Sequence, residues 1–360
     1  MARRSDFEAL PESDRFGEAP HPRNVRNLFG HEAAEQLLLQ AYRGARLQPA
    51  WIIGGKQGIG KATLAWRFAR FMFVHPDPNA PAVRSAKDLS VAMDHPAIRR
   101  VSSRSHGDVA LLRRQWNDKT KKHFTEIRVD EVREALDLFR RASGEGGWRI
   151  CIIDCLDDLN RSSANALLKL VEEPPPRSLL LMVANRPASV LATLRSRSRM
   201  LLLEPLNGEQ TAQAVRALGS PWADRPAAEI EAAAARAGGA PREALRLLEG
   251  QGLQLTNRIE AMLARLPRLD WTAIQALADA SGSRADDATF ETLLCAVYDW
   301  LDARVRAGGE ARRLAPFAEA WERTSRAARE TEALNLDRRP FVLALFEDLA
   351  LAAQAAEGRR

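Results

Sequence analysis

The chain has 360 residues, of which 46% are hydrophobic and 28% charged, and its formal net charge is +6. This length exceeds one ordinary hydrophobic core, so we expect two or three domains. No apolar run approaches the roughly 18 to 20 residues that a membrane span needs, and the first residues lack the apolar core of a secretory signal. The sequence therefore argues against a membrane or secreted protein and predicts a cytoplasmic one.

The basic residues and the cysteines indicate which ligands and covalent links the protein can have. A sequence pI near 9.6 permits contact with nucleic acid but does not establish it. The three cysteines form no Cys-x-x-Cys pair and are not accompanied by a histidine cluster. This pattern supports neither a disulfide framework nor a zinc site, and we predict no metal centre.

The N-terminal stretch, residues 1–27, carries three prolines among charged residues. Such a composition predicts an extended, partly disordered arm. From His31 onward, apolar residues recur at helical spacing, which predicts the first helix.

A strand, a glycine-rich turn and a helix follow one another between residues 50 and 73. Residues 50–53 are apolar and predict a buried strand, and the apolar positions after residue 63 recur at helical spacing. The turn has the Gly-x4-Gly-Lys pattern of a P-loop, in which backbone N–H groups, the helix N-terminus and the lysine attract phosphate. The residues predicted to bind a nucleotide here are Gly55, Gly58, Ile59, Gly60, Lys61, Ala62 and Thr63.

One position of this P-loop departs from the pattern of an active NTPase. Ala62 stands where a Ser or Thr hydroxyl normally holds the Mg²⁺ bound to the phosphates, and Thr63 follows one residue later. We therefore expect nucleotide binding to be retained more readily than metal-assisted hydrolysis. The alternative, a glycine-rich turn that binds nothing, stays open.

The stretch after the P-loop helix, residues 75–123, has weak periodicity, four prolines and clustered basic residues. We expect one strand within it, over residues 109–112. The basic part, residues 99–128, is either a face for DNA or a partner protein, or a solvated loop. Salt-dependent binding of DNA by the isolated chain would favour the first interpretation.

A second strand ends in a carboxylate that P-loop proteins use. Residues 149–153 lead into Asp154, which predicts a central strand with the Walker B acid, the group that orders Mg²⁺, at its carboxyl end. Cys155 follows, where an ATPase of this kind carries the glutamate that polarises water. We expect Asp157 and Asp158 to begin the next helix, where negative charge is favourable.

Two further polar positions lie downstream. An apolar strand, residues 178–184, ends at Asn185, which such folds place near the γ-phosphate. An arginine cluster, residues 195–199, precedes a last strand over residues 200–203. An arginine fixed there, Arg197, can reach a neighbouring subunit's nucleotide as an arginine finger. Taken alone, such a cluster is usually a solvated surface.

Three motifs in combination point to a family. They are Gly58 to Ala65, the run from Asn165 to Pro175 that ends in Glu-Glu-Pro-Pro, and Leu194-Arg195-Ser196-Arg197. With these motifs the chain resembles bacterial clamp-loader subunits of the AAA+ class. The resemblance implies an α/β P-loop (AAA+) domain with a parallel sheet, followed by a small helical lid and an all-α C-terminal collar domain. We expect the arm at 1–27, the AAA+ domain at 28–205, the lid at 206–250 and the collar at 251–360.

The same resemblance implies roles for particular residues. Arg197 lies in the family's Ser-Arg-Cys motif, with Ser198 in place of the cysteine, and would serve the ATP site of an adjacent gamma/tau subunit. Asn185 falls at the sensor 1 position, and Arg242 is implied as the sensor 2 arginine. Many relatives carry a four-cysteine zinc module after the P-loop helix, but no cysteine stands there in this chain, so zinc is not expected.

The resemblance also implies partners and a mode of action. The partners are gamma/tau and delta subunits in a heteropentamer, the sliding clamp, and primed DNA reached through the complex. Because two catalytic positions are altered, we predict a subunit that hydrolyses little or no ATP alone and binds ATP or ADP weakly or as a vestige. One alternative is a catalytically active gamma/tau-like ATPase, in which Asp154 acts with Asp157 or Asp158. The other is a nucleic-acid-binding module that acts through the basic stretch.

Overall fold

The computed structural model describes residues 10–44, 47–140, 147–250, 252–282, 287–308, 311–334 and 336–356. They form two compact units that divide between Leu245 and Arg246. Residues 206–245, expected as part of a separate lid, belong to the same compact unit as the P-loop. The finer domain boundaries given above stay predictions. None of the described helices is both long enough and apolar enough to cross a membrane.

The strands described in the first unit are β1 (Ala50–Gly54), β2 (Val109–Leu112), β3 (Trp116–Asn117), β4 (Lys122–His123), β5 (Arg149–Asp154), β6 (Ser178–Ala184) and β7 (Arg199–Leu202). Five of them form a parallel sheet in the order β2-β5-β6-β1-β7, and β3 pairs with β4 in a small antiparallel sheet. The strands predicted at residues 109–112 and 178–184 have these bounds, and the last strand lies one residue earlier than predicted.

The helices of the first unit, within the described residues, are α1 (Glu32–Arg43), α2 (Lys61–Val74), α3 (Pro81–Ser85), α4 (Pro96–Ser102), α5 (Val129–Arg140), α6 (Arg161–Glu172), α7 (Ala192–Arg195), α8 (Gly208–Arg216), α9 (Ala227–Arg236) and α10 (Pro241–Leu248). The last of these contains the division between the two units.

The parallel sheet lies between two layers of helices. β1 and β6 are buried along their whole length, which explains their continuous apolar sequences. Successive side chains of a strand point to opposite faces. Trp51 and Ile53 accordingly share a core with Phe68 of α2, whereas Ile52 shares the opposite core with Leu167 of α6. The α/β fold expected for this region is therefore confirmed.

The N-terminal arm is folded where the structure describes it, so the expectation of an extended, partly disordered segment is wrong for residues 10–27. His21 and Arg23 are buried, and a 3-10 turn runs over Pro22–Asn24. Arg70 of α2 donates to the carbonyl oxygens of Arg23, at 2.7 Å, and Val25, at 2.6 Å. Sequence composition missed this because the partners that neutralise the arm's charges lie far along the chain.

Parts of residues 75–123 pack into the first unit, whereas basic residues of this stretch such as Arg99, Arg104 and Lys121 are exposed, so both interpretations of the basic stretch stay predictions. Val83, Leu89 and Val101 lie in the core on the side of α1 and α2. Arg113 is buried, with 6% of its surface exposed. The periodicity of this stretch is weak because its elements are short. The helices α3 and α4 have five and seven residues, and the strands β3 and β4 have two residues each.

The second unit is helical in its described residues. Its helices are α11 (Gly252–Ala264), α12 (Trp271–Gly282), α13 (Asp287–Arg306), α14 (Ala311–Ala333) and α15 (Arg338–Ala356). On α13, Leu293, Val297 and Leu301 are fully buried in one core, and Trp300 packs partly buried against it. This core also contains Phe346 of α15.

Candidate nucleotide-binding site

The P-loop and the two polar residues predicted around it emerge at one edge of the sheet. β6 pairs with β1 and with β5, and the register sets Gly54 opposite Ala184 and Asp154 opposite Val183. The carboxyl ends of the three strands therefore lie side by side. In open parallel sheets this edge is where ligands bind.

The glycines of the P-loop hold backbone conformations that other residues would adopt only with strain. Gly58 has φ +79° and Gly60 has φ +108°. A Cβ at Gly58 would lie 2.6 Å from the Cβ of Arg242, so a side chain there has no room. The ring Nε2 of His31 contacts the carbonyl oxygen of Ile59 at 2.7 Å and braces the loop from the side of α1.

Lys61 begins α2 and lies under the loop, with 3% of its surface exposed. Its Nζ donates to the carbonyl oxygens of Gly55, at 2.8 Å, and Lys56, at 2.5 Å. Burial lowers the pKa of Lys61 to about 8, although the charge of Asp154 opposes this shift. The ammonium is thus pre-positioned on the loop that would enclose a phosphate.

A cavity of about 250 Å³ adjoins this loop. Most of the predicted nucleotide-binding residues line it, namely Gly58, Ile59, Gly60, Lys61, Ala62, Thr63, Asp154, Asn185 and Arg242. Gly55 supports the loop from behind, with φ +146° and a position where a Cβ would lie 2.6 Å from the carbonyl oxygen of Leu203. The cavity does not include Arg197 among its lining residues.

Asp154 and Cys155 form the floor of the site. Burial, reinforced by the nearby Asp14 carboxylate, raises the pKa of Asp154 to about 7, against the opposing charges of Lys61 and Arg242. Burial also raises the pKa of the Cys155 thiol to about 12, so that this group is neutral. A neutral thiol cannot take a proton from water as a glutamate would.

Asp157 and Asp158 lie in a short 3-10 helix, Leu156–Asp158, and do not begin α6. α6 starts later, with Asn160 as its N-cap. Asp157 accepts from the backbone N–H groups of Asn185, at 2.6 Å, and Arg186, at 3.0 Å. Its carboxylate thereby fixes the end of β6 beside the cavity.

Asp158 has a different partner on the other side of the turn. Its carboxylate pairs with Arg114 Nε at 3.1 Å. Both acidic residues that could replace the missing glutamate are therefore held by other groups.

Arg197 lies on the surface, between α7 and β7. Its Nε pairs with Glu172 at the end of α6 at 2.9 Å, and the two side chains are 42% and 46% exposed. Its Nη1 donates to the carbonyl oxygen of Thr193 at 3.2 Å. The guanidinium is thus oriented by its own chain but accessible from outside.

The N-terminal arm supplies one wall of the cavity, which no sequence pattern indicated. Ser13, Asp14, Phe16 and Ala19 line the cavity together with the P-loop. Asp14 pairs with Arg113, which lies 99 residues away in sequence. No local pattern could have revealed that pairing.

The donor set fits the phosphate part of a nucleotide better than its metal ion. The glycine conformations, the N-terminus of α2 and Lys61 supply the groups that phosphate needs. Ala62 offers no hydroxyl to Mg²⁺, and Asp154 is the one predicted metal-ordering carboxylate on the cavity lining. Within the described residues there is no group of three or more His, Cys, Asp or Glu side chains that could hold a metal ion.

The fold and the site together define a P-loop protein of the AAA+ class. With this strand order, a P-loop follows β1, an acid ends β5 and a polar residue follows β6. Residues 30–207 match the family described as DNA polymerase III, delta subunit. Curated delta-prime subunits are also among the relatives of this chain. Over residues 30–207 the chain is therefore similar to delta-prime-like clamp-loader subunits of DNA polymerase III.

The individual relatives match over part of their length. The DNA polymerase III subunit delta-prime of Pseudomonas aeruginosa is 30% identical over 221 residues, which are 61% of this chain and 62% of that protein. The Escherichia coli subunit delta-prime is 25% identical over 66% of each chain, and the Escherichia coli subunit tau is 26% identical over 73% of this chain and 39% of its own. The chain thus spans less than two thirds of the length of these relatives.

A gamma-subunit-related protein of DNA polymerase III from Thermotoga maritima, whose crystal structure is known, aligns with 89% of this chain and 99% of its own. The TM-score is 0.42 and the identity 14%. This likeness is too weak to carry an argument.

Proposed function

We propose that the chain is the delta-prime subunit of a clamp loader within the DNA polymerase III holoenzyme. In this role it assembles with gamma/tau and delta subunits into a heteropentamer and helps to place the sliding clamp on primed DNA. Its contribution to catalysis is Arg197, offered to the ATP site of a neighbouring subunit. The chain itself hydrolyses little or no ATP.

One observation carries the proposal: Arg197 lies outside the chain's own nucleotide cavity and its guanidinium is partly exposed, held by Glu172. An arginine in that position cannot stabilise charge on a nucleotide bound to its own P-loop, but it is accessible to a nucleotide presented by a neighbour. Arginine fingers supplied in trans contribute rate factors on the order of 10³ or more at the site that they serve.

The state of the chain's own site supports the absence of independent hydrolysis. Ala62 lacks the metal-binding hydroxyl, and Cys155 is a neutral thiol at the position of the water-polarising glutamate. The rival proposal, an active gamma/tau-like ATPase, needs Asp157 or Asp158 as a substitute base. Their carboxylates are held by Asn185 and Arg186 or by Arg114, which speaks against that use.

The test is ATP hydrolysis by gamma/tau together with delta, clamp and primed DNA, to which the wild-type chain or its Arg197→Ala variant is added. We expect the variant to join the complex and to lower turnover. Arg195→Ala is the matched control, because Arg195 is an exposed arginine two residues away whose Nη1 donates to the Ala188 carbonyl oxygen. It should leave turnover unchanged.

Three results would contradict the proposal. Unchanged turnover with Arg197→Ala, after equal assembly has been verified by gel filtration, would remove the arginine finger. An equal loss with Arg195→Ala would indicate a general effect of surface charge. Hydrolysis by the isolated chain at a rate comparable to gamma/tau would favour the ATPase rival.

A further inference from the structure

Buried ion pairs attach the N-terminal arm to the rest of the first unit and fix the position of the arm. Glu12 accepts from Arg23 at 2.8 and 2.9 Å and from Arg113 at 2.9 Å. The side chains of these three residues are 7% to 10% exposed. Although burial opposes it, the hydrogen bonds from Arg23 and the charge of Arg113 lower the pKa of Glu12 to about 2. The carboxylate is therefore ionised at neutral pH.

The next acidic residue of the arm faces the nucleotide cavity. The Asp14 side chain is 1% exposed and its carboxylate contacts Nε2 of His21 at 2.8 Å, as well as Arg113. Asp14 lines the same cavity as Lys61 and Asp154. The arm thus brings a carboxylate to a cavity whose P-loop is arranged to receive a phosphate.

An aromatic residue of the arm engages the arginine on the lid side of the cavity. The guanidinium of Arg242 lies over the ring of Phe16, 5.4 Å from the ring centroid. With the arm in place, the cavity of about 250 Å³ lies below the roughly 300 to 1,000 Å³ of usual ligand pockets. A phosphate group could use Arg242 fully only after this contact has been given up.

We propose that the arm, residues 12–19, is an intramolecular competitor of nucleotide: it covers the P-loop cavity through Asp14 and Phe16, and a nucleoside triphosphate must displace it. The proposal rests on the proposed nucleotide site but not on the role of Arg197. It gives a physical reason for weak nucleotide binding that is separate from the altered catalytic positions. The apparent affinity is the intrinsic affinity multiplied by the fraction of molecules in which the arm is open.

The competing interpretation is that the arm is a permanent wall of the site. A wall would close more tightly when a nucleotide binds, whereas a competitor must leave. The contact between Phe16 and Arg242 favours the competitor, because a phosphate drawn to Arg242 competes with that contact. The two interpretations predict opposite changes at the same backbone amides.

The first experiment is hydrogen exchange of the full chain with and without saturating ATP and Mg²⁺. The amide of Arg15 donates to the carbonyl oxygen of Glu12 at 3.1 Å, and that of Ala19 to the carbonyl oxygen of Phe16 at 2.9 Å. We expect both amides to exchange faster when ATP is bound. Slower exchange would overturn the proposal and identify the arm as a wall. This measurement needs no variant and so avoids misfolding.

The second experiment is titration of the full chain with a fluorescent ATP analogue. Phe16→Ala should tighten binding roughly two- to fivefold, the effect of losing one weak contact of the closed arm. Asp14→Asn should tighten it further, because this change removes the buried ion pair with Arg113 that holds the arm closed. Glu18→Gln is the matched control on the arm, because the Glu18 side chain is 89% exposed and lies outside the cavity lining. It should bind as the wild type does.

The outcomes separate this inference from the proposed function. Equal or weaker binding by both variants would overturn the role of the arm and leave the nucleotide site in place. No binding by any of the chains would remove the nucleotide site and the competition with it, while the assay of Arg197 in the assembled complex would still decide the arginine finger.

Discussion

Asp154 is buried in the floor of the site, close enough to Lys61 for their charges to interact. The pKa of Asp154 is raised to about 7 because of burial and the Asp14 carboxylate. Above about pH 4 the unfolded chain ionises this carboxyl first, so the free energy of unfolding falls as the pH rises from about 4 to about 7. Asp154→Asn should remove this loss, making the variant more stable relative to the wild type at about pH 7.5 than at about pH 5, by roughly 2 kcal/mol.

Urea unfolding at the two pH values measures this difference. Asp157→Asn is a control of opposite sign, because hydrogen bonds from the Asn185 and Arg186 backbone, acting against burial, lower the pKa of Asp157. Its loss should destabilise the chain at neutral pH. If Asp154→Asn had the same relative stability at both pH values, Asp154 would not be neutral in the folded protein.

Ala62 offers a second test at the level of one residue. It lines the cavity directly after Lys61, so a hydroxyl placed there can reach a metal ion on a bound phosphate. Ala62→Thr should tighten the binding of ATP roughly fivefold in Mg²⁺, because the added hydroxyl contributes about as much free energy as one hydrogen bond. In EDTA, without the metal ion, the affinity should stay unchanged. Equal tightening in both media would show that the gain comes from packing. The fluorescent-analogue titration described above provides the measurement.

Individual residues of the site were predictable to different degrees. The glycines and Lys61 follow from the Gly-x4-Gly-Lys spacing, and Asp154 follows from its place at the end of an apolar strand, so both were predictable from the sequence. Asp14 and Phe16 were not predictable, because their roles depend on Arg113 and Arg242, which the fold brings to them from distant positions.

At the scale of single elements, α6 is the helix that joins the site to the surface arginine. It begins beside the cavity floor, where the Asn160 side chain accepts from the Ser163 N–H at 2.8 Å, and ends at Glu172, which holds Arg197. Asn160→Ala should lower the free energy of unfolding by about 1 kcal/mol, the usual effect of losing an N-cap. Asn160→Asp should retain most of it. Equal destabilisation by both would implicate the hydrogen bond from Asn160 to Glu126 instead.

The long elements were predicted well because their patterns are strong. β1, β5 and β6 are apolar runs, β5 and β6 lead into a polar residue at the carboxyl end, and the prolines after Glu173 end α6. The short elements between residues 75 and 123 escaped prediction, because helices of five and seven residues give too few turns to establish a period. The fold of the N-terminal arm was not predicted for another reason. Ion pairs stabilise the arm, and they leave no apolar periodicity in its sequence.

At the scale of the whole molecule, the two units have separate hydrophobic cores. The cores of the first unit draw on residues of the sheet and the helices around it, and the core of the second draws on residues from Ile259 onward. The sequence predicted a change from α/β to helical structure beyond residue 205. It placed the start of the C-terminal helical domain at residue 251, a few residues after the division between the compact units, which lies within α10.

Separate cores predict separate responses to substitution. Leu349 of α15 is fully buried in the core of the second unit, and Leu181 of β6 is fully buried in the first. Leu349→Ala should destabilise the second unit by roughly 2 to 5 kcal/mol, and Leu181→Ala should do the same to the first. In the full chain, hydrogen exchange should become faster in residues 252–356 for Leu349→Ala and in residues 47–245 for Leu181→Ala. If either substitution accelerated exchange equally throughout the chain, the two units would unfold as one cooperative body.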